Sequence, residues 1–275
     1  MTENIYEHVQ SRYGDMARQA HAPSTQHDGE EAIATAFGYS AGDLHSLPDN
    51  ANLGLSCGNP VAHANIKEGE TIVDLGSGGG IDVFLAARKV GPSGRAIGVD
   101  MTEEMISLAT RNAKTSGLPN ASFIKSPITS IPLPDSSVDC IISNCVINLV
   151  PAGDKPLVFR EIARLLKPGG RVAISDILAK RDLPQSIVSN MALYVGCIAG
   201  AARVAEYERF LGDAGFKDVL IVDTKADLNM YQQSCYLGRS SCCGSKGSVG
   251  SPGNEFADVD FNEWAGSYQI YAVKN

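Results

Sequence analysis

Residues 72–82, Ile72-Val73-Asp74-Leu75-Gly76-Ser77-Gly78-Gly79-Gly80-Ile81-Asp82, combine an apolar run that ends in an acid, a glycine-rich turn and the start of a helical pattern. The spacing is D-x-G-x-G-x-G. Glycines at these positions let backbone N–H groups come close to a ligand. A second apolar run, Arg95-Ala96-Ile97-Gly98-Val99, ends in Asp100. An acid at the end of the second strand suits a pair of ribose hydroxyls, as it does in the related dinucleotide folds. No Gly-Lys-Ser/Thr follows the loop, so it is not a Walker loop. The G-x-G-x-x-G spacing that seats a pyrophosphate is also absent. The expected ligand is therefore a nucleoside that need not carry phosphate, and S-adenosylmethionine is the candidate. Asp74, Gly76, Ser77, Gly78 and Gly80 are assigned to the loop and Asp100 to the ribose, with Met101 packing on the adenine.

Repeated strand–helix units must position these residues. Strands are expected at 71–75, 96–100, 121–125, 138–144 and 171–177, with helices at 79–90, 102–116 and 154–167. Pro134-Asp135-Ser136-Ser137 reads as a turn, and Lys167-Pro168-Gly169-Gly170 as a helix end that leads into a strand. Such alternation implies a parallel sheet covered on both faces, with ligands at the carboxyl ends of its strands. The expected fold class is α/β, a doubly wound, mostly parallel Rossmann-like sheet with an N-terminal arm and a C-terminal extension. Three segments follow: an arm at 1–60 that carries Cys57, a nucleoside-binding unit at 61–180, and a segment at 181–275. The arm is expected to hold helices at 3–20 and 30–37 and to be irregular from 38 to 52. The last segment reads as small apolar residues at 191–201, a helix at 205–215, a strand-like stretch at 217–223, a Ser/Gly-rich linker at 234–254 and an alternating strand that ends near Val273 and returns to the sheet.

The chain has 275 residues, 44% of them hydrophobic and 20% charged, with a formal net charge of −8. That balance argues against a nucleic-acid substrate, which needs clustered Lys and Arg. No apolar run reaches the length of a membrane span, and the first residues do not read as a signal peptide. The expected location is cytoplasmic. Seven cysteines, Cys57, Cys140, Cys145, Cys197, Cys235, Cys242 and Cys243, form no C-x-x-C pair. Neither a zinc ribbon nor a thioredoxin motif is indicated. In a reducing compartment stable disulfides are not expected. Cys140, inside an apolar strand, reads as a buried small hydrophobe.

The glycine loop, Asp100, Leu166-Lys167-Pro168-Gly169-Gly170 and the order of elements resemble the class I S-adenosylmethionine-dependent methyltransferases. Three further segments narrow the resemblance to the arsenite methyltransferases: Gly54-Leu55-Ser56-Cys57-Gly58-Asn59-Pro60, Ser143-Asn144-Cys145-Val146-Ile147-Asn148-Leu149-Val150-Pro151, and Gly196-Cys197-Ile198-Ala199-Gly200-Ala201. It covers roughly residues 54–225. The resemblance implies that Cys57, Cys145 and Cys197 bind trivalent arsenic and are the catalytic residues. It also implies that Ile128 meets the adenine edge and that Asn144 holds the methionine part. Arsenite and methylarsenite are the implied substrates, with a thiol reductant such as glutathione or thioredoxin as co-substrate. Many members carry a fourth, N-terminal cysteine after a Tyr-Gly segment. Here Tyr13-Gly14-Asp15 stands in that place, and no cysteine precedes Cys57.

Arsenic is soft and prefers thiolate sulfur. Three sulfurs in a pyramid leave a lone pair free to attack a methyl group, and that nucleophile loses no proton, so no general base is required. Two other functions fit parts of the pattern. One is methylation of a carbon, oxygen or thiol centre on a small metabolite. The other is metalloid sequestration without catalysis. The first has no use for three placed cysteines, and the second has none for a nucleoside loop.

Overall fold

The computed structural model describes residues 2–20, 27–190, 197–230 and 259–275. The expected linker at 234–254, residues 191–196, and Cys235, Cys242 and Cys243 lie outside them. Strands β1 (Thr71–Leu75), β2 (Arg95–Asp100), β3 (Ala121–Lys125), β4 (Val138–Asn144), β5 (Leu166–Ala179), β6 (Asp218–Asp223) and β7 (Ala265–Val273) form one sheet in the order β3-β2-β1-β4-β5-β7-β6. The first five run parallel, and β7 lies antiparallel between β5 and β6. The doubly wound, mostly parallel fold expected from the sequence is present, and the late alternating segment does return to the sheet.

Helices α1 (Thr2–Gln19), α2 (His27–Ala36), α3 (Ala41–His45), α4 (Pro60–His63), α5 (Ile81–Val90), α6 (Glu103–Ser116), α7 (Lys155–Leu165), α8 (Gln185–Val188) and α9 (Val204–Asp213) accompany the sheet. The strand order reverses between the parallel neighbours β1 and β4, which opens a crevice at their carboxyl ends. A large apolar cluster, including Val73, Ile141, Phe159, Ile174 and Tyr207, fills one face of the sheet; another, including Ile72, Val83, Ile142 and Ala173, joins the opposite face to α5. Alternate residues of the same strands serve the two layers, as a sheet buried on both faces requires.

Two departures from the expected elements are larger than an end shifted by a few residues. Helix α7 stops at Leu165, and β5 begins at Leu166 rather than Arg171. Leu166 pairs with Val138 and Arg171 with Cys140, so the intervening Lys-Pro-Gly-Gly is accommodated as an irregularity of the strand. Lys274 clamps it, accepting from Gly169 N and donating to Gly170 O. The stretch 38–52, expected to be irregular, contains the single-turn helix α3, because Ser40 Oγ accepts from Asp43 N and caps its start.

Candidate nucleoside cleft and thiol site

The crevice is lined by Asp74, Gly76, Ser77, Gly78, Asp100, Met101, Ile128, Asn144 and Cys145. Helix α1 adds Tyr6, Val9 and Tyr13 from above, and residues 51–56 add Leu53, Leu55 and Ser56. Gly80 is not in the lining. It stands at the start of α5 with φ 99°, and a Cβ there would meet Phe84 at 2.7 Å. Gly78, with φ +50°, has nothing within 4 Å of the position a Cβ would take, and its N–H donates to Asp100 Oδ2 at 3.1 Å. Gly76 is pressed against Val146, the residue after Cys145, where a Cβ would lie 2.3 Å from a methyl carbon. The glycine loop therefore sits directly on the loop that carries a candidate thiol.

Three carboxylates belong to the cleft. Asp100 accepts from Thr102 N at 2.8 Å and from Gly78 N; burial still raises its pKa. Asp74 is pushed well above the usual carboxylate range by burial and then by its acidic neighbours Asp82 and Asp100. Asp82, buried in the first turn of α5, rises to about 6 through burial, against the hydrogen bonds of Tyr39 and Asn144. Three acids converging in a poorly solvated cleft repel one another, and a cationic ligand relieves that repulsion. Ser77 Oγ is buried there without a hydrogen-bond partner. An orphan hydroxyl, an open glycine face and an acidic lining fit a polar, positively charged nucleoside such as S-adenosylmethionine.

The thiol side adjoins this cleft. Asn144 is opposite Ser175 in the β4–β5 register, and Cys145, just past the end of β4, donates its N–H to Ser175 O at 2.9 Å and lies near Asp176 of β5. Cys57, Cys145 and Cys197 are all buried in one apolar cluster with Ile177, Ile198 and Phe261. The Cys197 thiol donates to Cys145 O at 2.8 Å. Cys57 and Cys145 are joined as a disulfide with their Cα atoms 5.8 Å apart. The composition-based expectation of no disulfide is corrected here. Two thiols converging in one dry pocket reach bonding distance, whatever the spacing of cysteines along the chain. Cys145 and Cys197 have φ of 60° and 67°, a left-handed conformation that costs a non-glycine residue on the order of 1–3 kcal/mol and tends to persist at functional sites. Cys140 is buried on β4 with its thiol pushed up to about 12 by burial, in keeping with a packing role.

Asn144 ties the two sides together. Its Oδ1 accepts from Cys57 N at 3.2 Å, and its Nδ2 donates to Tyr39 Oη at 2.8 Å, Gly58 O at 2.9 Å and Asp82 Oδ2 at 3.2 Å. Tyr39 in turn donates to Asp82 Oδ1 at 2.7 Å. Ser267 Oγ, on β7, donates to Cys57 O at 2.7 Å. On the far wall Lys155 Nζ donates to Asn148 O, Val150 O and Gly200 O, pinning the segment after Cys197 to the loop after Cys145.

Sequence reading missed Asp82, Tyr39, Lys155, Asp176 and the α1 residues. A signal existed for two of them. Asp82 interrupts an apolar helix face, and Asp176 stands inside the apolar run of β5. Burying a charge in such a setting is costly unless it is used or partnered. The tyrosines and Lys155 carried no comparable signal.

A family profile described as a methyltransferase domain matches residues 66–227. The chain is 46% identical over 192 residues to an arsenite methyltransferase of Halobacterium salinarum, covering 70% of this chain and 49% of that protein. It is 41% identical over 165 residues to an arsenite methyltransferase of Aquipseudomonas alcaligenes, covering 58% and 47%. The chain spans about half the length of these curated relatives. Among solved structures, an arsenic (III) S-adenosylmethionine methyltransferase from Chlamydomonas reinhardtii superposes with a TM-score of 0.59 at 30% identity, covering 89% of this chain and 73% of that one.

Proposed function

Since the chain belongs to the arsenite methyltransferase branch of the methyltransferase-domain family, we propose that it moves the methyl group of S-adenosylmethionine to trivalent arsenic held by Cys57, Cys145 and Cys197. The observation that carries this reading is the clustering of those three cysteines, from positions far apart in sequence, beside an acidic nucleoside cleft that Cys145 lines.

Each group has a definable task. Asp100 takes the ribose hydroxyls, and Met101 and Ile128 close on the base. Asp74, Asp82 and Ser77 line the part of the cleft toward the cationic end, where Asn144 holds Asp82 and Cys57 in fixed relation. S-adenosylmethionine, when bound, supplies an electrophilic methyl group on a positively charged sulfur. The three thiols displace hydroxyls from arsenite and leave the arsenic lone pair facing the cleft. Holding nucleophile and methyl in line supplies several kcal/mol, up to roughly 7–11 in the best model systems. No base is needed for that attack, and among the described residues no histidine lines the cleft.

The Cys57–Cys145 disulfide must open before arsenic binds, which gives the thiol reductant a place in the cycle. Two electrons and two protons from a dithiol, or from two glutathione molecules, restore both thiols. Lone-pair attack leaves the demethylated cofactor as a neutral thioether and the methylated arsenic formally pentavalent; two further electrons from the thiol reductant return it to methylarsenite, which offers two exchangeable positions and is a second substrate of the same site. We propose that the reaction serves arsenic detoxification in the cytoplasm, a location that fits the need for a thiol pool. Among the described residues no helix is long and apolar enough to cross a membrane.

The test is product analysis after incubation with arsenite, S-adenosylmethionine and either a dithiol or glutathione. Methylated arsenic is the expected product. Its absence under every reductant, with cofactor binding intact, would return the function to another small acceptor or to metalloid sequestration.

A further inference from the structure

Cys57 Sγ, Cys145 Sγ and a carboxylate oxygen of Asp176 lie within 4.8 Å of one another, and all three residues are buried. The Cys197 thiol is adjacent, on the carbonyl of Cys145. Asp176 is held as metal-bound carboxylates commonly are, by hydrogen bonds from outside the donor set. Its Oδ1 accepts from Asn148 Nδ2 at 2.8 Å and from Ile177 N at 2.9 Å, and its Oδ2 accepts from Tyr207 Oη at 2.6 Å. Each oxygen has two lone pairs, so Oδ2 keeps one for another partner.

Arsenic has no use for this oxygen. It takes three sulfurs and must keep its fourth direction open for the methyl group. A filled-shell divalent cation of the zinc or cadmium kind differs, because it seeks four donors in a tetrahedron. Around zinc such donors stand about 3.5–3.8 Å apart; Cys57, Cys145 and Asp176 already lie within 4.8 Å of one another, whereas the Cys197 thiol, now on the Cys145 carbonyl, has to turn in to join them. We infer that, once the disulfide is reduced, the site binds a thiophilic divalent cation through the sulfurs of Cys57, Cys145 and Cys197 and the carboxylate of Asp176, in competition with arsenic. The buried Lys155 ammonium, close enough to Asp176 and Cys197 for their charges to act on it, offsets part of the excess negative charge of that donor set. Cation binding displaces thiol protons to solvent and changes no oxidation state. Opening the disulfide beforehand consumes one equivalent of an added dithiol.

The inference shares three thiols with the proposed function and differs in the fourth donor, so one set of titrations separates them. The probe is Cd2+ alone, read by thiolate-to-metal charge-transfer absorption, on the reduced full chain with Cys235→Ser, Cys242→Ser and Cys243→Ser to remove competing thiols. Arsenite is titrated in parallel. One Cd2+ per chain is expected, displaced by excess arsenite. Asp176→Asn should weaken Cd2+ binding at least tenfold and change arsenite binding less than threefold, while Cys145→Ser should lose both. If Asp176→Asn does not fold, Tyr207→Phe carries the test. Losing the phenol donor leaves the carboxylate unanchored and should weaken Cd2+ binding at least threefold, with arsenite binding changed less. Unchanged Cd2+ affinity in the variant that folds overturns the inference. Arsenite binding without Cd2+ binding overturns it alone, and binding of neither overturns the arsenic reading as well.

Discussion

The two halves of the crevice are built in opposite ways. The nucleoside half comes from consecutive residues, Asp74 to Asp82, whose backbone makes the surface, plus one acid at the end of the next strand. The thiol half comes from residues 57, 145 and 197, held by side-chain hydrogen bonds that span up to 210 positions. A backbone-built site follows from the local fold, and single side-chain changes weaken it by degrees. A side-chain-built site depends on a few buried groups and fails abruptly.

The sharpest break should come from Cys145→Ser. A hard hydroxyl is a poor ligand for soft arsenic, so methylation of both arsenite and monomethylarsenite should fall below detection by chromatography with arsenic-specific detection. Cys57→Ser should abolish the first reaction and leave part of the second, because monomethylarsenite needs only two thiols. Full activity of Cys145→Ser on both substrates would refute the thiolate site.

On the nucleoside side the response should be graded. Asp100→Ala should weaken S-adenosylmethionine binding by about 1.5–3 kcal/mol, the range for hydrogen bonds to a charged group. Calorimetry on the folded variant measures this, and unchanged affinity would mean that the ribose is held elsewhere.

Smaller still is the expected effect of pH. Asp82 rises from 3.8 to about 6 without ligand, so it is still partly protonated at mildly acidic pH. A cationic ligand binds the carboxylate better than the acid. Cofactor affinity should therefore increase several-fold as pH rises through about 6 and then level off, and Asp82→Asn should flatten the step. The same shift acts on stability with the opposite sign. Between 3.8 and about 6 the folded state holds more protons than the unfolded one, so stability falls as pH rises through that window.

The least effect should come from Cys242→Ser with Cys243→Ser. If these thiols only collect metalloid, methylation of arsenite stays at the parent rate. Loss of activity with intact cofactor affinity would give the thiol half a component that the three-cysteine site lacks.

This contrast also accounts for what the sequence could tell. Alternating runs and glycine stops located β1 to β4 closely, since each element's period is local. The cofactor loop was legible because its chemistry lies in contiguous glycines and acids. The three cysteines were legible through family resemblance alone; spacing along the chain says nothing about where residues 57 and 197 meet. Tyr39, Lys155 and the covering face of α1 acquire their roles through tertiary contact, and no short-range pattern marks a tyrosine or lysine as buried. The disulfide escaped for the same reason. It depends on the approach of the segment before α4 to the loop after β4, whereas composition speaks only to the compartment.

One consequence concerns the order in which the chain is made. Strand β7 follows all the other strands in sequence, yet it sits between β5 and β6 and supplies the hydroxyl that holds Cys57 O. During synthesis, Cys57, Cys145 and Cys197 all leave the ribosome before residue 265 exists. Over that interval β5 has an open edge and Cys57 lacks one of its anchors, so the nascent chain carries thiols not yet sequestered from wrong partners. The final strand thus acts as a latch, and a ribosome that stalls before it would release a chain prone to misjoined cysteines and edge-to-edge association.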